Sequence, residues 1–401
     1  MRWLSIVGIG EDGLAGLGDA ARNRISGADI VFGGARHLEL AAKLIKGESR
    51  AWDSPFVRSI EAVLAERGRS VCVLASGDPF HYGVGATLSR HVAAAEMDVF
   101  PHPSAFSLAA ARLGWPLQDV TCLSLHGRAL DLIRPQLHPG ARILALTSDE
   151  AGPVALAQLL ANAGFGGSTI TILEALEGPD EQIRTALASH FTLRAINPLN
   201  ICAIEIISAP GARILPFAAG LDDDLFEHDG QITKREIRAL TLSALAPRHG
   251  ELLWDIGAGS GSVGIEWMLA HPSLRAIAVE VNVHRVATIA SNALAFGVPD
   301  LRIEHGSAPD ALLGLPRPDA IFIGGGGTEP GVMETAVESL PSGGRLVANA
   351  VTTQMEALLL ARHAELGGTL TRIAIDRAAP IGGMTGWRPA MPITQWSWTK
   401  P

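Results

Sequence analysis

The sequence predicts two α/β domains in series, and three observations carry that prediction. The chain has 401 residues, too many for one ordinary hydrophobic core, and 47% of them are hydrophobic against 18% charged. Runs rich in Val, Ile and Leu alternate with helix-like stretches along the chain. The alternation lapses at residues 208–224, where prolines, glycines and three successive aspartates suit a linker. We therefore place the domains at residues 1–212 and 213–401.

The strands and helices follow from the apolar pattern of each domain. The first domain has strand-like runs at LSIVGIG, SVCVLASG, TCLSLHG, ARILALTS, STITILEA and NICAIEI. The second begins with an amphipathic helix, ITKREIRALTLSAL, and continues with the strands ELLWDIGAG, AIAVE, LRIEH, DAIFIGG and RLVANA. Continuous apolar strands are typical of a parallel sheet that is covered on both faces.

Composition excludes several classes of function. The net charge is -9 and there is no run of Lys and Arg, so a nucleic-acid partner is not expected. No apolar run reaches the ~20 residues of a membrane helix, and the N-terminus lacks the pattern of a signal peptide, so we expect a cytoplasmic protein with no membrane partner. Cys72, Cys122 and Cys202 lie in strand-like runs, which favours buried thiols over metal ligands.

Two glycine-rich segments follow strands with the spacing G-x-G-x-x-G. Glycine lets the backbone approach a ligand closely, and the N-terminus of a following helix offers free N–H groups to an anion. Each segment alone could equally be a tight turn that requires positive φ. The two segments contain Gly8, Gly10 and Gly13, and Gly259, Gly261 and Gly264.

The acidic residues near the two loops help to distinguish between the possible cofactors. A dinucleotide site needs a carboxylate at the end of the next strand, and Asp29 instead precedes its strand, so the nicotinamide interpretation fails in the first loop. After the second loop, Glu280 ends the strand AIAVE, where its carboxylate could bind ribose hydroxyls. Dehydrogenases and methyltransferases both need an acid at this position. Asp255 opens the pattern DIGAGSGSVG. It could orient the ammonium of S-adenosylmethionine, directly or through water, or it could only cap its own turn.

The second half resembles class I S-adenosylmethionine-dependent methyltransferases, which have a Rossmann-like fold. The resemblance rests on DIGAGSGS, the ribose acid Glu280, the turn HGSA and the fourth strand IFIGGGG. GQITKREIR and the four glycines narrow it to the precorrin methyltransferase-decarboxylase branch of cobalamin biosynthesis. It implies that the cofactor is bound by Gln231, Thr233, Asp255, Gly257, Gly259, Ser260, Gly261, Ser262, Glu280, Gly306, Ser307, Ala308 and Gly324. Thr233 could also form a capping box with Glu236.

The first half resembles the tetrapyrrole methylases, which bind the same cofactor in a cleft between two α/β subdomains. Its mark is ASGDPFHYGVG. The resemblance implies a cofactor pocket formed by Gly8, Gly10, Gly77, Asp78, Pro79, Ser104 and Ala105. Glu11 and Asp12 stand where the family commonly has Pro-Gly, and this departure leaves the role of that loop open. LSLHGR and LEALEGPDEQI match the branch that methylates precorrin-6.

These resemblances cover nearly the whole chain and imply a bifunctional C-methyltransferase with decarboxylase activity. The first half would methylate carbon 5 of a precorrin, and the second would methylate carbon 15 and decarboxylate the ring C acetate. They imply one S-adenosylmethionine site per domain, no metal, a tetrapyrrole substrate and a homo-oligomer. Candidates for proton handling are Lys234 and His126, and candidates for binding substrate carboxylates are Arg128 and Arg388.

Other side chains and other functions stay open at this stage. His305 and Arg377 could serve the same tasks or be solvated. Trp387, Trp396 and Trp398 could stack on a flat macrocycle, although packing of an edge strand is favoured. The alternative functions are a two-domain nicotinamide-dependent oxidoreductase, a non-catalytic tetrapyrrole-binding protein, and a methyltransferase with one inactive domain.

Overall fold

A computed structural model describes residues 2–401 and confirms the α/β class. The chain forms two compact units. The first comprises residues 1–130 and 136–213, and the second comprises residues 131–135 and 214–401. No helix within the described residues is long and apolar enough to cross a membrane.

The first unit begins with a five-stranded parallel sheet of order β3-β2-β4-β1-β5. Its strands are β1 (Leu4–Ile9), β2 (Ile30–Gly33), β3 (Glu48–Ala51), β4 (Val71–Ser76) and β5 (Met97–Phe100). The helices of this part are α1 (Asp19–Ser26), α2 (Ala35–Ala41), α3 (Val57–Ala65) and α4 (Val84–Leu88). Apolar clusters cover both faces, because successive strand residues such as Ile6 and Val7 point to opposite sides. The first helix after β1 begins only at Asp19.

A second five-stranded sheet completes this unit, with the order β6-β7-β10-β8-β9. Only β6 and β7 pair in parallel, and the other neighbours are antiparallel. The strands are β6 (Thr121–Ser124), β7 (Arg142–Leu146), β8 (Thr169–Glu174), β9 (Gln182–Leu187) and β10 (Asn200–Glu205). The helices α5 (Ala105–Leu113) and α6 (Gly152–Asn162) belong to this part of the chain. The unit thus contains the two α/β subdomains that the resemblance implied.

The second unit is built on a seven-stranded sheet of order β13-β12-β11-β14-β15-β19-β16, in which β19 runs antiparallel to both of its neighbours. The strands are β11 (Leu252–Ile256), β12 (Arg275–Glu280), β13 (Arg302–His305), β14 (Ala320–Ile323), β15 (Arg345–Ala350), β16 (Thr369–Ile373) and β19 (Ile393–Thr399). The helices are α7 (Arg235–Leu245), α8 (Ser262–Ala270), α9 (Val283–Ala295), α10 (Val332–Ser339) and α11 (Thr353–Leu366). Leu253 and Trp254 belong to apolar clusters on opposite faces, as expected for a covered sheet.

The C-terminal strands are the part of this unit that the sequence did not predict. β17 (Asp376–Ile381) and β18 (Met384–Pro389) form a separate hairpin, and both are mostly exposed. Trp396 and Trp398 are buried on β19, which confirms packing as their role. Trp387 is instead 73% exposed on the hairpin. The strands β3, β5 and β9 of the first unit were also missed, since they are short or mostly polar.

The start of α7 corrects one expectation. The helix begins at Arg235 with Lys234 as its N-cap residue, and no side chain caps it. The alternative role of Thr233, a capping box with Glu236, is therefore wrong. Thr233 lies one residue before the cap, where its carbonyl oxygen accepts a hydrogen bond from the Arg238 guanidinium.

Two of the three cysteines confirm the prediction of core thiols. Cys72 and Cys202 are buried, and Cys122 is half-buried. Burial raises the pKa of the Cys72 thiol to about 12 and raises that of Cys202 further. These thiols are therefore uncharged and unreactive at neutral pH.

Candidate functional site

A cavity of about 590 Å³ opens at the carboxyl ends of the parallel strands in the second unit. This is the edge where α/β sheets bind ligands, since the loops after the strands meet there. The predicted site residues that line it are Gln231, Thr233, Lys234, Gly257, Gly259, Glu280, Gly306, Ser307, Ala308 and Gly324. They come from segments that lie up to about ninety positions apart in the sequence, and the sheet topology brings them together.

The floor of the cavity depends on a close approach of the loops that follow β11 and β14. Gly257 has φ +68°. A Cβ atom there would lie 2.5 Å from the carbonyl oxygen of Gly325. Only glycine satisfies both the left-handed conformation and this contact. The glycines of DIGAGSGS and IGGGG therefore let two loops pack as one surface.

Glu280 is the one carboxylate of the wall that the backbone holds in place. It ends β12 with a residue exposure of only 4%. Its two oxygens accept hydrogen bonds from the N–H groups of Gly259 and Asn282, each at 2.9 Å. Each oxygen keeps a second lone pair, so the carboxylate can still accept hydroxyl donors from the cavity.

Asp255 lies beneath the glycine loop and does not line the cavity. It is 1% exposed, and its Oδ2 accepts a hydrogen bond of 2.9 Å from the Gly264 N–H. Its Oδ1 is buried without a hydrogen-bond partner. Burial, with a smaller contribution from the charge of Glu280, raises the pKa of Asp255 to about 7. The turn-capping alternative thus describes one of the two oxygens of Asp255.

Most of the remaining candidate residues of this unit lie outside the cavity wall, and Arg377 is the exception. Ser260 and Ser262 are buried, and Gly261 is the left-handed N-cap of α8. His305 is exposed, and its Nε2 lies 3.1 Å from the carbonyl oxygen of Val281. Arg388 lies exposed on β18, opposite Arg377. Arg377 lines the cavity and Arg388 does not.

Three cationic side chains stand at the cavity, and each is paired with a carboxylate. Lys234 Nζ lies 3.7 Å from Asp223 Oδ2. Arg285 Nε donates to Asp229 Oδ2 at 2.8 Å. Arg377 donates to Glu236, which joins β17 to α7. The sequence analysis missed Arg285, because its partner lies 56 residues away and the pattern of α9 gives no sign of the contact.

Asn349 also lines the cavity, and the sequence analysis missed it although its position on a strand indicated such a role. It is a polar residue near the carboxyl end of β15, a position that commonly faces a ligand in α/β sheets. Its Nδ2 donates to the Thr241 hydroxyl at 2.9 Å, and its Oδ1 accepts from Gln395 Nε2 at 2.9 Å. These bonds hold the amide at the wall of the cavity.

The predicted cofactor loops of the first unit also meet. A Cβ atom on Gly8, in β1, would lie 1.9 Å from the carbonyl oxygen of Gly77, just after β4. One on Gly77 would lie 3.0 Å from the Cα of Ser104. The loops that follow β1 and β4 and the loop that precedes α5 therefore share one edge of the parallel sheet.

The polar residues of these loops shape the turns. Asp78 Oδ1 accepts a hydrogen bond from the Phe80 N–H at 2.8 Å, which closes the turn that contains Pro79. Ser104 caps α5 by accepting from the Ser107 N–H, and Ala105 is the first residue of that helix. This role of Asp78 in a turn is compatible with a place in the wall of a cofactor pocket.

His126 and Arg128 lie in the exposed segment that follows β6. His126 Nδ1 lies 3.3 Å from the carbonyl oxygen of Thr147. Their proposed roles in catalysis and substrate binding stay predictions.

Comparison with known proteins places both units in described families. Residues 4–204 match the family model of tetrapyrrole (corrin/porphyrin) methylases, and residues 224–400 match that of the precorrin methyltransferase domain. A Sinorhizobium protein named precorrin-6Y C(5,15)-methyltransferase [decarboxylating] is 66% identical over 398 residues, which cover 99% of this chain and 96% of that protein.

Two Salmonella typhimurium proteins each match one half. The protein named cobalt-precorrin-7 C(5)-methyltransferase is 31% identical over 48% of this chain and 96% of its own length. The protein named cobalt-precorrin-6B C(15)-methyltransferase (decarboxylating) is 32% identical over 43% of this chain and 92% of its own length. The comparisons favour a methyltransferase over the oxidoreductase and the non-catalytic binding protein.

Proposed function

The chain belongs to the family of precorrin-6Y C(5,15)-methyltransferases (decarboxylating), and from this premise we propose that it converts precorrin-6B to precorrin-8X. Two methyl groups from S-adenosylmethionine are added at carbons 5 and 15, and the ring C acetate loses its carboxylate. The observation that carries the proposal is the cavity of the second unit, whose wall combines Glu280, the glycine loops and the 306–308 turn.

The two reactions are divided between the two units. The first unit methylates carbon 5, because it belongs to the tetrapyrrole methylases and its relative is named for that carbon. The second methylates carbon 15 and decarboxylates, as the name of its relative states for that protein. Each unit has its own loops for S-adenosylmethionine, so we propose one site per unit.

The residues of the second unit fit this cofactor. Glu280 can accept the ribose hydroxyls, since its carboxylate is fixed at the wall with free lone pairs. Gly306, Ser307 and Ala308 line the cavity and would contact the adenine, and the unpartnered Oδ1 of Asp255 would attract the ammonium. When bound, the cofactor supplies a methyl group on a positively charged sulfur.

No side chain of the protein has to form a covalent bond with the substrate in either reaction. An enamine-like carbon of the macrocycle donates its electron pair to the methyl carbon, and the methyl–sulfur bond breaks, so catalysis can come largely from alignment. In the decarboxylation the carbon–carboxyl bond breaks, the electron pair enters the conjugated macrocycle and a proton is added. Neither step needs a metal. The apolar residues Ile237, Ile375 and Ile393 at the cavity would desolvate the acetate and favour the loss of carbon dioxide.

The cations at the cavity suit the carboxylates of the macrocycle. Lys234, Arg285 and Arg377 already hold carboxylates of the protein, and a substrate carboxylate can replace these partners. Lys234 is the candidate for proton handling, because its side chain is 48% exposed and reaches the cavity. A homo-oligomer in the cytoplasm remains a prediction from the sequence.

The function is tested by mass spectrometry of the product formed from precorrin-6B and methyl-labelled S-adenosylmethionine. We expect two labelled methyl groups gained and one carbon dioxide lost. With Glu280→Gln, the product should carry only the carbon 5 methyl and keep its carboxylate. The matched control is Glu304→Gln, which changes a half-buried carboxylate on β13 that pairs with Arg302 and lies outside the cavity wall, and it should give the full product. An unchanged substrate, with S-adenosylhomocysteine still bound, would overturn the substrate assignment.

A further inference from the structure

We infer that the first unit holds a divalent transition-metal ion on Asp12, His102 and Glu177, with Zn²⁺ the ion that suits them best. The inference is independent of the proposed methylations. One ligand atom from each residue lies within 4.8 Å of the other two. The three residues come from the loop after β1, the loop after β5 and the turn between β8 and β9. The family resemblance implied no metal, and these three residues lie far apart in the chain.

His102 is the buried centre of the cluster. Its side chain is only 6% exposed. Its Nδ1 lies 3.2 Å from the carbonyl oxygen of Pro103. A carbonyl oxygen can only accept, so Nδ1 carries the hydrogen in this contact. Nε2 of the neutral ring then has a free lone pair directed at the two carboxylates. A backbone carbonyl that fixes the ring in this way is the usual outer partner of a metal-bound histidine.

The two carboxylates direct unpartnered oxygens at the same place. Asp12 Oδ1 lies 3.4 Å from His102 Nε2, and Glu177 Oε2 lies 3.9 Å from it. Both oxygens are buried and neither has a hydrogen-bond partner. Three lone-pair atoms facing one another without a proton repel, and a bound cation removes that repulsion.

The distances between the three donor atoms fit a small metal ion if the atoms move slightly closer together. Donor atoms about 2.1 Å from a tetrahedral Zn²⁺ ion lie about 3.4 Å apart, with water as the fourth ligand. The Asp12–His102 distance already matches, and Glu177 needs to approach by a few tenths of an ångström. Imidazole together with carboxylates favours Zn²⁺ over Mg²⁺, which prefers oxygen ligands.

Glycines keep the space around the cluster open. A Cβ atom on Gly10 would lie 2.6 Å from His102 Cε1 and 2.8 Å from Asp12 Oδ1. One on Gly16 would lie 2.0 Å from Asp12 Oδ2. Larger residues at these positions would push the donor groups apart.

The cations near the cluster are bound to other acids. Arg36 pairs with Glu11, and Arg112 donates to both oxygens of Glu181 at 2.7 and 3.0 Å. Arg112 is close enough to Glu177 to interact with its charge, but no hydrogen bond joins them in the described part of the chain. Neither guanidinium therefore fills the space between the three donor atoms.

The test is a calorimetric titration of the full chain with ZnCl₂ after a chelator has removed any bound metal. We expect the wild type to bind one equivalent of Zn²⁺, and a matched titration with MgCl₂ should give no comparable heat. Zinc should bind at least a hundredfold more weakly to His102→Asn, Asp12→Asn and Glu177→Gln. His102→Asn keeps an N–H donor for the Pro103 carbonyl oxygen and removes the Nε2 lone pair. Glu11→Gln changes a carboxylate next to Asp12 that is outside the cluster, and this variant should retain the zinc.

X-ray absorption of the zinc-loaded wild type keeps the test valid even where a variant fails to fold. The expected first shell contains nitrogen and oxygen only, with the signature of a single imidazole. A shell with sulfur or with two or more imidazoles would place the zinc elsewhere and overturn the site. Unchanged zinc binding in all three variants would also overturn the site, and so would a lack of zinc binding by the wild type.

Discussion

At the scale of single residues, Asp255 shows how burial changes a carboxylate. The chain places it under the glycine loop with one oxygen bonded to Gly264 and the other unpartnered. Water is excluded there, so the charged form is disfavoured and the pKa rises to about 7 from an ordinary value of 3.8. A cationic ligand above the loop would favour the charged form again, which links cofactor binding to the ionisation of this residue.

The raised pKa of Asp255 predicts a specific dependence of stability on pH. Between about pH 4 and pH 7 the folded chain keeps a proton that the unfolded chain has lost. The free energy of unfolding from this group therefore falls as the pH rises through that window, and it is constant above it. Asp255→Asn cannot ionise and keeps an acceptor for Gly264, so its stability relative to the wild type should increase from pH 5 to pH 8.

Urea unfolding at pH 5, 6, 7 and 8 measures this difference. Parallel stability profiles for Asp255→Asn and the wild type would show that the carboxyl group titrates normally. The exposed change Asp376→Asn serves as the control, and its profile should follow that of the wild type.

At the scale of elements, α7 is held by a buried cation that its sequence does not reveal. Arg238 is 0% exposed, and its Nε donates to Glu266 Oε1 of α8 at 2.5 Å. The same guanidinium also bonds Asp223 and the carbonyl oxygens of Leu221 and Thr233. These bonds anchor the segment before α7, including the residues that form one wall of the cavity.

Arg238→Ala should therefore lower the free energy of unfolding of the second unit by about 3 to 5 kcal/mol, because it leaves Glu266 buried without its partner. Arg235→Ala is the matched control. It removes an exposed pair with Asp222 on the same helix and should cost less than about 1 kcal/mol. Chemical denaturation followed by tryptophan fluorescence measures both, and equal losses would contradict the central role of Arg238.

The contact between β1 and the loop after β4 gives a second prediction at this scale. Gly8→Ala places a methyl group 1.9 Å from the Gly77 carbonyl oxygen, so the two strand ends must separate. We expect loss of the carbon 5 methyl with carbon 15 methylation and decarboxylation retained, as read from the mass of the product.

Gly18→Ala is the control for this change. It adds the same methyl group at a position with nothing within 4 Å and a φ of -71°, so the full product should form. Full carbon 5 methylation by Gly8→Ala would show that the loops tolerate separation and do not form the cofactor wall.

At the scale of the whole molecule, the chain joins two different methyltransferase folds. The Salmonella relatives correspond to the separate halves. Each unit has its own sheets and its own apolar clusters. We therefore expect residues 1–212 and residues 213–401, expressed separately, each to perform its own reaction.

A mixture of the two halves should yield the doubly methylated, decarboxylated product that the intact chain forms. Mass spectrometry after incubation with each half alone and with both gives the answer. The second half alone should give one methyl group and lose carbon dioxide. If separately folded halves yielded no product even when mixed, each reaction would require the covalent fusion.

The sequence by itself determined the α/β class, the two families and part of the lining of the cavity in the second unit. These depend on local information, since apolar periodicity defines strands and helices, and motifs such as DIGAGSGS occur within a few residues. The expected Asp255 and Glu280 both lie at the carboxyl end of the sheet, because β11 and β12 end there.

Only the tertiary structure decided which polar groups are buried and which of them meet. The convergence of Asp12, His102 and Glu177, the burial of Arg238 and the exclusion of Asp255 from the cavity wall all depend on contacts between distant segments. The hairpin of β17 and β18 likewise has no alternating apolar pattern, because neither strand has a buried face. Burial and proximity arise when the strands assemble, and a local pattern contains no record of that assembly.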